Sequence, residues 1–149
     1  MRKFTTSALL FAVLTTALPT MTAYAAPRPE VAEYVKAWQG TEGIKVWTLR
    51  YGPRDKHQAL VQITGADHDW DGKIQLMNIE DKGARKDYSV MVNGKKYVVL
   101  LIDKYNNGEV YLPGEKNEHK VFYSDDLSSQ GNAQYFLTDY LNQETGTAE

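Results

Sequence analysis

The sequence predicts an α+β fold: an N-terminal helix, an antiparallel sheet of five or six strands in a meander, and a C-terminal helix packed on the sheet. Three observations predict it. Apolar residues recur at helical spacing near both ends of the chain beyond residue 25. Between them lie short alternating runs, joined by links too short for crossover connections, which favours antiparallel pairing. Two of those links carry Asn-Gly, a strong hairpin signal.

The first helix is expected over Pro29–Gln39. Val31, Tyr34, Val35 and Trp38 form one apolar stripe at i, i+3, i+4 and i+7. Pro29 suits a first turn, Glu30 and Glu33 suit the positive end of a helix dipole, and Gly40 suits a stop. Strands follow at Lys45–Tyr51, where Trp47, Leu49 and Tyr51 share a face, at Gln58–Thr64, and at Lys73–Glu80. Tyr88–Val92 and Lys95–Ile102 flank Asn93-Gly94. Lys104–Tyr105 and Glu109–Leu112 flank Asn106-Asn107-Gly108, and a last strand is expected at Lys120–Tyr123. Tyr97–Ile102 is apolar at every position, which places it mid-sheet with both faces covered. Ala133, Phe136, Leu137, Tyr140 and Leu141 give the second helix, over Asn132–Gln143.

Residues 1–25 read as a cleavable secretory signal. Arg2 and Lys3 lead, Ala8–Leu14 is apolar, and Ala23-Tyr24-Ala25 supplies the small-residue cleavage pattern. Pro19 and the threonines stop the run short of the ~20 apolar residues a membrane span needs. Cleavage leaves 124 of the 149 residues, a single exported domain over 26–149. Losing Arg2 and Lys3 takes the 17 basic residues to 15 against 19 acidic ones, a net charge of −4. That balance argues against nucleic-acid or anionic-membrane binding. The mature chain contains no transmembrane segment. A signal peptide with no cysteine points to the periplasm, with secretion to the medium as the alternative.

One segment carries ligand chemistry. Asp67-His68-Asp69-Trp70-Asp71-Gly72 resembles the first two-thirds of an EF-hand-type calcium loop. Three alternate carboxylates can curl around a hard cation that wants six to eight oxygens, and Gly72 permits the bend. Asn78 stands where the closing bidentate Glu belongs, and the flanks read as strands. The competing reading is a polar turn. Asp67, Asp69 and Asp71 are the candidate metal ligands, and Ca²⁺ is the one cofactor to be weighed against none.

Catalytic signatures are missing. His57, His68 and His119 lack metalloprotease spacing, no serine sits in G-x-S-x-G, and no phosphate loop occurs. Most tyrosines suit strands, while Tyr105 and Tyr111 lie near turns and join Trp70 as candidate contact residues. Arg54, Lys56 and His57 form a basic turn. Arg85, Lys86, Lys95 and Lys96 bracket the hairpin, where cations discourage edge pairing, with anion or partner binding as the alternative role for these basic groups. The leading expectation is a non-enzymatic exported binding protein recognising another protein or a cell-envelope component. A calcium-binding module and a small envelope hydrolase using scattered carboxylates or His119 are the alternatives.

Overall fold

The computed structural model describes residues 26–146. The predicted leader over 1–25 and the last three residues lie outside that range. The chain order is β1 (Lys36–Gly40), β2 (Lys45–Tyr51), a 3₁₀ turn (Arg54–Lys56), β3 (Gln58–Thr64), β4 (Ile74–Asp81) and β5 (Arg85–Val92). Then come β6 (Lys95–Asp103), β7 (Asn107–Val110), β8 (His119–Tyr123), α1 (Asp125–Gln130) and α2 (Ala133–Thr145). Each strand pairs antiparallel with the next, and β1 pairs with β8, so the eight strands close into a barrel.

This overturns the α+β layer predicted above. The N-terminal helix does not exist. Its four stripe residues do not share one face. Val31 makes an isolated bridge to Tyr51, and Tyr34 is 75% exposed. Val35 packs with the helix-side cluster, and Trp38 points into the barrel. A helix there would leave β2 and β8 each with an open edge. β1 fills both, through Trp38↔Val46 on one side and Trp38↔Tyr123 on the other. Long-range pairing outweighs local periodicity. Gly40 marks the seam, since a Cβ there would lie 2.6 Å from Ile44 Cγ2 and 2.8 Å from the Lys120 carbonyl oxygen. Any side chain at this position would push β1 off β8.

Alternation then sorts side chains into two cores. Trp38, Val46, Val61, Met77, Val99, Leu100, Val110 and Val121 fill the barrel. Leu49, Leu60 and Ile74 point outward and meet Ala133, Leu137 and Tyr140 of α2. Both faces of β2 and β3 are therefore buried. Asn132 caps α2 by accepting from the Gln134 and Tyr135 amides, each at 3.0 Å. Gln143 pins the far end: its amide accepts from Ile74 N at 3.0 Å and donates to Ile74 O at 2.7 Å. Ser124 caps α1, whose Ser128 Oγ accepts from Ala37 N at 2.9 Å.

The run Tyr97–Ile102 is not covered on both faces throughout. The register slips between Tyr88 and Ser89, so Val99 and Leu100 both enter the core while Val98 and Leu101 stay half-buried. A bulge, not a second covering layer, explains the unbroken apolar stretch. On the same outer side the Asp87 carboxylate is buried. Arg85 Nη2 donates to Asp87 Oδ2 at 3.5 Å, and Arg85 Nε lies 2.9 Å from Oδ1 as an ion pair without a hydrogen bond. No helix among the described residues is long and apolar enough to cross a membrane.

Glu80 joins β4 to its neighbours from outside, bonded to Lys96 and, at 2.9 Å, to Lys82. Those hydrogen bonds draw its carboxyl down to about 2. An unfolded Glu titrates near about 4.3. The folded group is the stronger acid, so its contribution is present above the unfolded value and is lost as pH falls toward 2. Glu80→Gln is expected to flatten the acid limb of the stability curve between those values. Urea midpoints measured against pH check this, and added salt should shrink the difference because the pair is solvent-exposed.

Candidate functional site

The two ends of the barrel differ. One end is closed by the β3–β4 connection. Trp70 folds onto the barrel core and meets Tyr97 edge-on, with ring centroids 6.2 Å apart. His68 holds this loop in place. Its Nε2 lies 2.8 Å from the Pro113 carbonyl oxygen, to which it must donate, and its Nδ1 accepts from Trp70 N at 3.1 Å. Those two bonds fix the Nε2–H tautomer. Asp71 makes a bridge with Ile63, and its Oδ1 accepts from Ala66 N at 3.0 Å. The Asp-rich segment thus serves as a plug.

Asp67, Asp69 and Asp71 are all exposed. Among the described residues no group of three or more His, Cys, Asp or Glu side chains is gathered so as to hold a metal ion. His119 sits at this end too, 2.6 Å from Glu115 and 3.5 Å from Glu42. Ser124 is engaged in capping α1 at the other end, so no Ser–His pair forms.

The opposite end is open. It is built where β1, β3 and β5 begin and where β2, β4 and β6 end. Alternation aims Lys36, Thr48, Arg50, Asp81, Lys86 and Tyr88 inward there. Two adjoining hollows result. One, about 440 Å³, runs from Tyr34 and Arg54 over Thr48, Ala59 and Ile79. The other, about 250 Å³, reaches Trp38, Ile102 and the β6–β7 turn. Lys36, Asp81, Lys86 and Tyr88 line both. Six cations line the pair (Lys36, Arg50, Arg54, Arg85, Lys86 and Lys104) against two carboxylates, Asp81 and Asp103.

Those charges are not equally free. Arg50 bonds to Glu30 and to the Gly52 carbonyl oxygen, and Arg85 is held by Asp87. Asp81 Oδ1 accepts from Gly83 N at 2.8 Å, and Asp103 Oδ1 is taken by the Tyr105 and Asn107 amides. Among the described residues, Lys36, Arg54 and Lys86 have no carboxylate within 4.0 Å. β1 and β5 stand four strands apart in a ring of eight, so Lys36 and Lys86 face each other from opposite walls. Burial pushes the Tyr88 phenol above its ordinary range, so it is a neutral donor.

No protein-family model, no curated protein and no solved structure matches this chain. The reading of the site therefore rests on its own chemistry.

Of the three contact residues expected from sequence, only Tyr105 reaches the mouth. It lies in the β6–β7 turn, 73% exposed, with Lys104 Nζ 5.0 Å from its ring centroid. Trp70 is at the closed end. Tyr111 is half-buried and donates to Glu109 at 2.7 Å, a bond that pushes its phenol up to about 12. Arg54, His57, Arg85 and Lys86, expected from sequence as basic turn and hairpin residues, also line the mouth, while Lys36 and Tyr88 carry a signal of another kind. Lys86, Tyr88 and Val90 share one face of β5, and Val46, Thr48 and Arg50 one face of β2. In each case a cation ends a core-facing row.

Two predictions separate plug from ligand site. Asp71→Ala is expected to cost about 1 kcal/mol in calcium-free buffer, the worth of one hydrogen bond. Asp67→Ala and Asp69→Ala are expected to stay within about 0.5 kcal/mol. Urea unfolding of the three variants checks this. A calcium-dependent rise in Tm needing all three carboxylates would favour the calcium reading. Trp70→Ala is expected to lose about 2 kcal/mol, less than a fully buried tryptophan would. Calorimetric Tm is the measurement.

Proposed function

We propose that this protein is an exported, non-enzymatic binding protein that takes a small organic anion into the open mouth of its barrel. The observation that carries the reading is the pair Lys36 and Lys86, inward-facing on opposite walls, neither ion-paired within 4.0 Å among the described residues although Asp81 stands opposite Lys86 in the ladder. Eight-stranded barrels are just wide enough to be filled by side chains or to hold one small ligand. Here the lower part is filled and the upper part is hollow. A concave site with a few convergent polar groups is the ordinary form of a ligand pocket. Its positive lining stands out against a chain of net negative charge. Export rests on the leader read from residues 1–25.

A catalytic reading finds less support. At the mouth the carboxylates of Asp81 and Asp103 are tied to backbone amides of their own turns. His57 lines the larger hollow without a serine or a second histidine beside it.

The test is calorimetry and thermal shift at low ionic strength. The probes are inorganic phosphate, acetate and phenyl phosphate, with ethylamine as the cationic control. Anions are expected to raise Tm by mass action and ethylamine to leave it unchanged. Lys36→Ala and Lys86→Ala are each expected to weaken anion binding roughly tenfold, with little effect on the unliganded Tm. Equal binding by the double variant, or no anion effect at millimolar concentration, would sink this function.

A further inference from the structure

The chemistry of the smaller hollow changes with depth. Its rim is charged, with four cations (Lys36, Arg85, Lys86 and Lys104) against the carboxylates of Asp81 and Asp103, and Lys36 and Lys86 stand on opposite walls. Its floor is Trp38, Tyr88 and Ile102, all almost fully buried. Trp38 is fixed from two directions. Its indole N–H donates to the Asn106 carbonyl oxygen at 3.0 Å, and its ring meets Tyr123 edge-on at 5.7 Å. With that N–H occupied, the indole can offer an incoming molecule only ring surface. Among the described residues the Tyr88 hydroxyl has no hydrogen-bond partner, and it is an uncharged donor on this floor.

Depth also limits length. Below the floor Val46, Met77, Val99, Leu100 and Val110 are at most 1% exposed, so no tunnel continues down the barrel. A hollow of about 250 Å³ is at the small end for ligand pockets. A long acyl chain would have nowhere to go. A bare hydrated anion would leave the apolar floor wet. A wholly apolar molecule would leave the excess positive charge of the rim unmatched, since four cations line it against Asp81 and Asp103.

We propose that the ligand is a single-ring aryl anion, an aryl phosphate or aryl carboxylate, seated ring-down on Trp38, Tyr88 and Ile102 with its charged group between Lys36 and Lys86. This rests on the anion-binding function put forward above. An aromatic body suits the floor because ring edges and faces attract one another beyond simple area burial. The Tyr88 hydroxyl donates to an oxygen of the anionic group or its ester link.

The experiment compares phenyl phosphate, benzoate, hexyl phosphate and inorganic phosphate by calorimetry, alongside tryptophan emission. Phenyl phosphate is expected to bind at least tenfold more tightly than inorganic phosphate and more tightly than hexyl phosphate. It should change tryptophan emission in wild type and in Trp70→Phe, but not in Trp38→Phe, which keeps a ring on the floor. Tyr88→Phe should weaken phenyl phosphate severalfold without lowering the unliganded Tm. Phenyl and inorganic phosphate binding equally would overturn the aryl assignment and leave the anion reading standing. Tighter binding of hexyl phosphate would replace the ring with a flexible chain, and so would also overturn it. An emission change that survives in Trp38→Phe would move the ligand off this floor. Binding by none of the four would remove the anion reading and this one together.

Discussion

The pairing of β1 with β8 is the constraint on which everything else depends. Before it forms, β2 and β8 each carry an unsatisfied edge, and a sheet with two open edges is prone to pair with other chains. Once Trp38 meets Tyr123 and Gly40 meets Val121, the ring has no edge, and inside and outside are defined for every residue. Only small groups are tolerated at the seam. Gly40 has Ile44 and the Lys120 carbonyl against it, and Gly108, on β7 beside β8, has Val121 and Ile102. Closure also fixes the direction of each side chain at the mouth, because a slip of one residue would turn Lys36 and Lys86 outward.

An eight-stranded ring leaves little room inside, and this chain spends that room unevenly. Toward one end the interior is packed with branched side chains and then sealed by Trp70, which the His68 bridge between Trp70 and Pro113 holds in place. Toward the other end inward positions become Thr48, Arg50, Asp81 and Lys86, and packing stops. Outside, α2 covers β2, β3 and β4 through a second apolar cluster. The barrel wall next to the larger hollow is therefore braced from behind. Ala59 of that wall lines the hollow, while its neighbour Leu60 is fully buried on the helix side. Such backing keeps a site rigid, and rigidity lowers the entropy cost of binding.

Much of the local structure was legible. β2 and β3 begin and end where the alternation of Lys45–Tyr51 and Gln58–Thr64 says they should. The Asn93-Gly94 hairpin is present with both residues at positive φ, and α2 follows the i, i+3, i+4 pattern from Ala133. What failed was of another kind. The stripe Val31, Tyr34, Val35 and Trp38 is helical in spacing, yet Trp38 is placed by Tyr123 and Val35 packs with Leu137, partners far along the chain that a local pattern does not see. The bulge at Tyr88/Ser89 is equally hidden, so Tyr97–Ile102 looked like a doubly covered strand. The structural part played by the aspartate loop is hidden as well, because its residue types suggest metal ligands and its packing depends on the barrel. In the fold, Asp71 caps a turn and Trp70 fills a hole. Lys86 of the mouth reads from sequence as edge protection, because a cation beside a hairpin has that role until the sheet is known to close.

The inward lysines are the feature hardest to account for by stability alone. An alternating row such as Lys86, Tyr88 and Val90 would bury more apolar surface with leucine or valine at its first position, and each such burial favours the folded state by about 25 cal/mol per Å². Edge protection cannot justify the charge, since the barrel has no edge to protect. Solvation alone would be served by an outward residue. Two like charges aimed across one opening also repel each other, which opposes closure of that rim. A chain that keeps this arrangement forgoes stability at the mouth, and the rest of the fold must supply it. The sealed lower end, the braced wall and the glycine seam are where the structure supplies it. An anion between Lys36 and Lys86 removes the repulsion and uses the charge, so occupancy and stability of the mouth are linked. The same departure from consistent packing that looks like a defect in an empty barrel is what a binding site in a filled one requires.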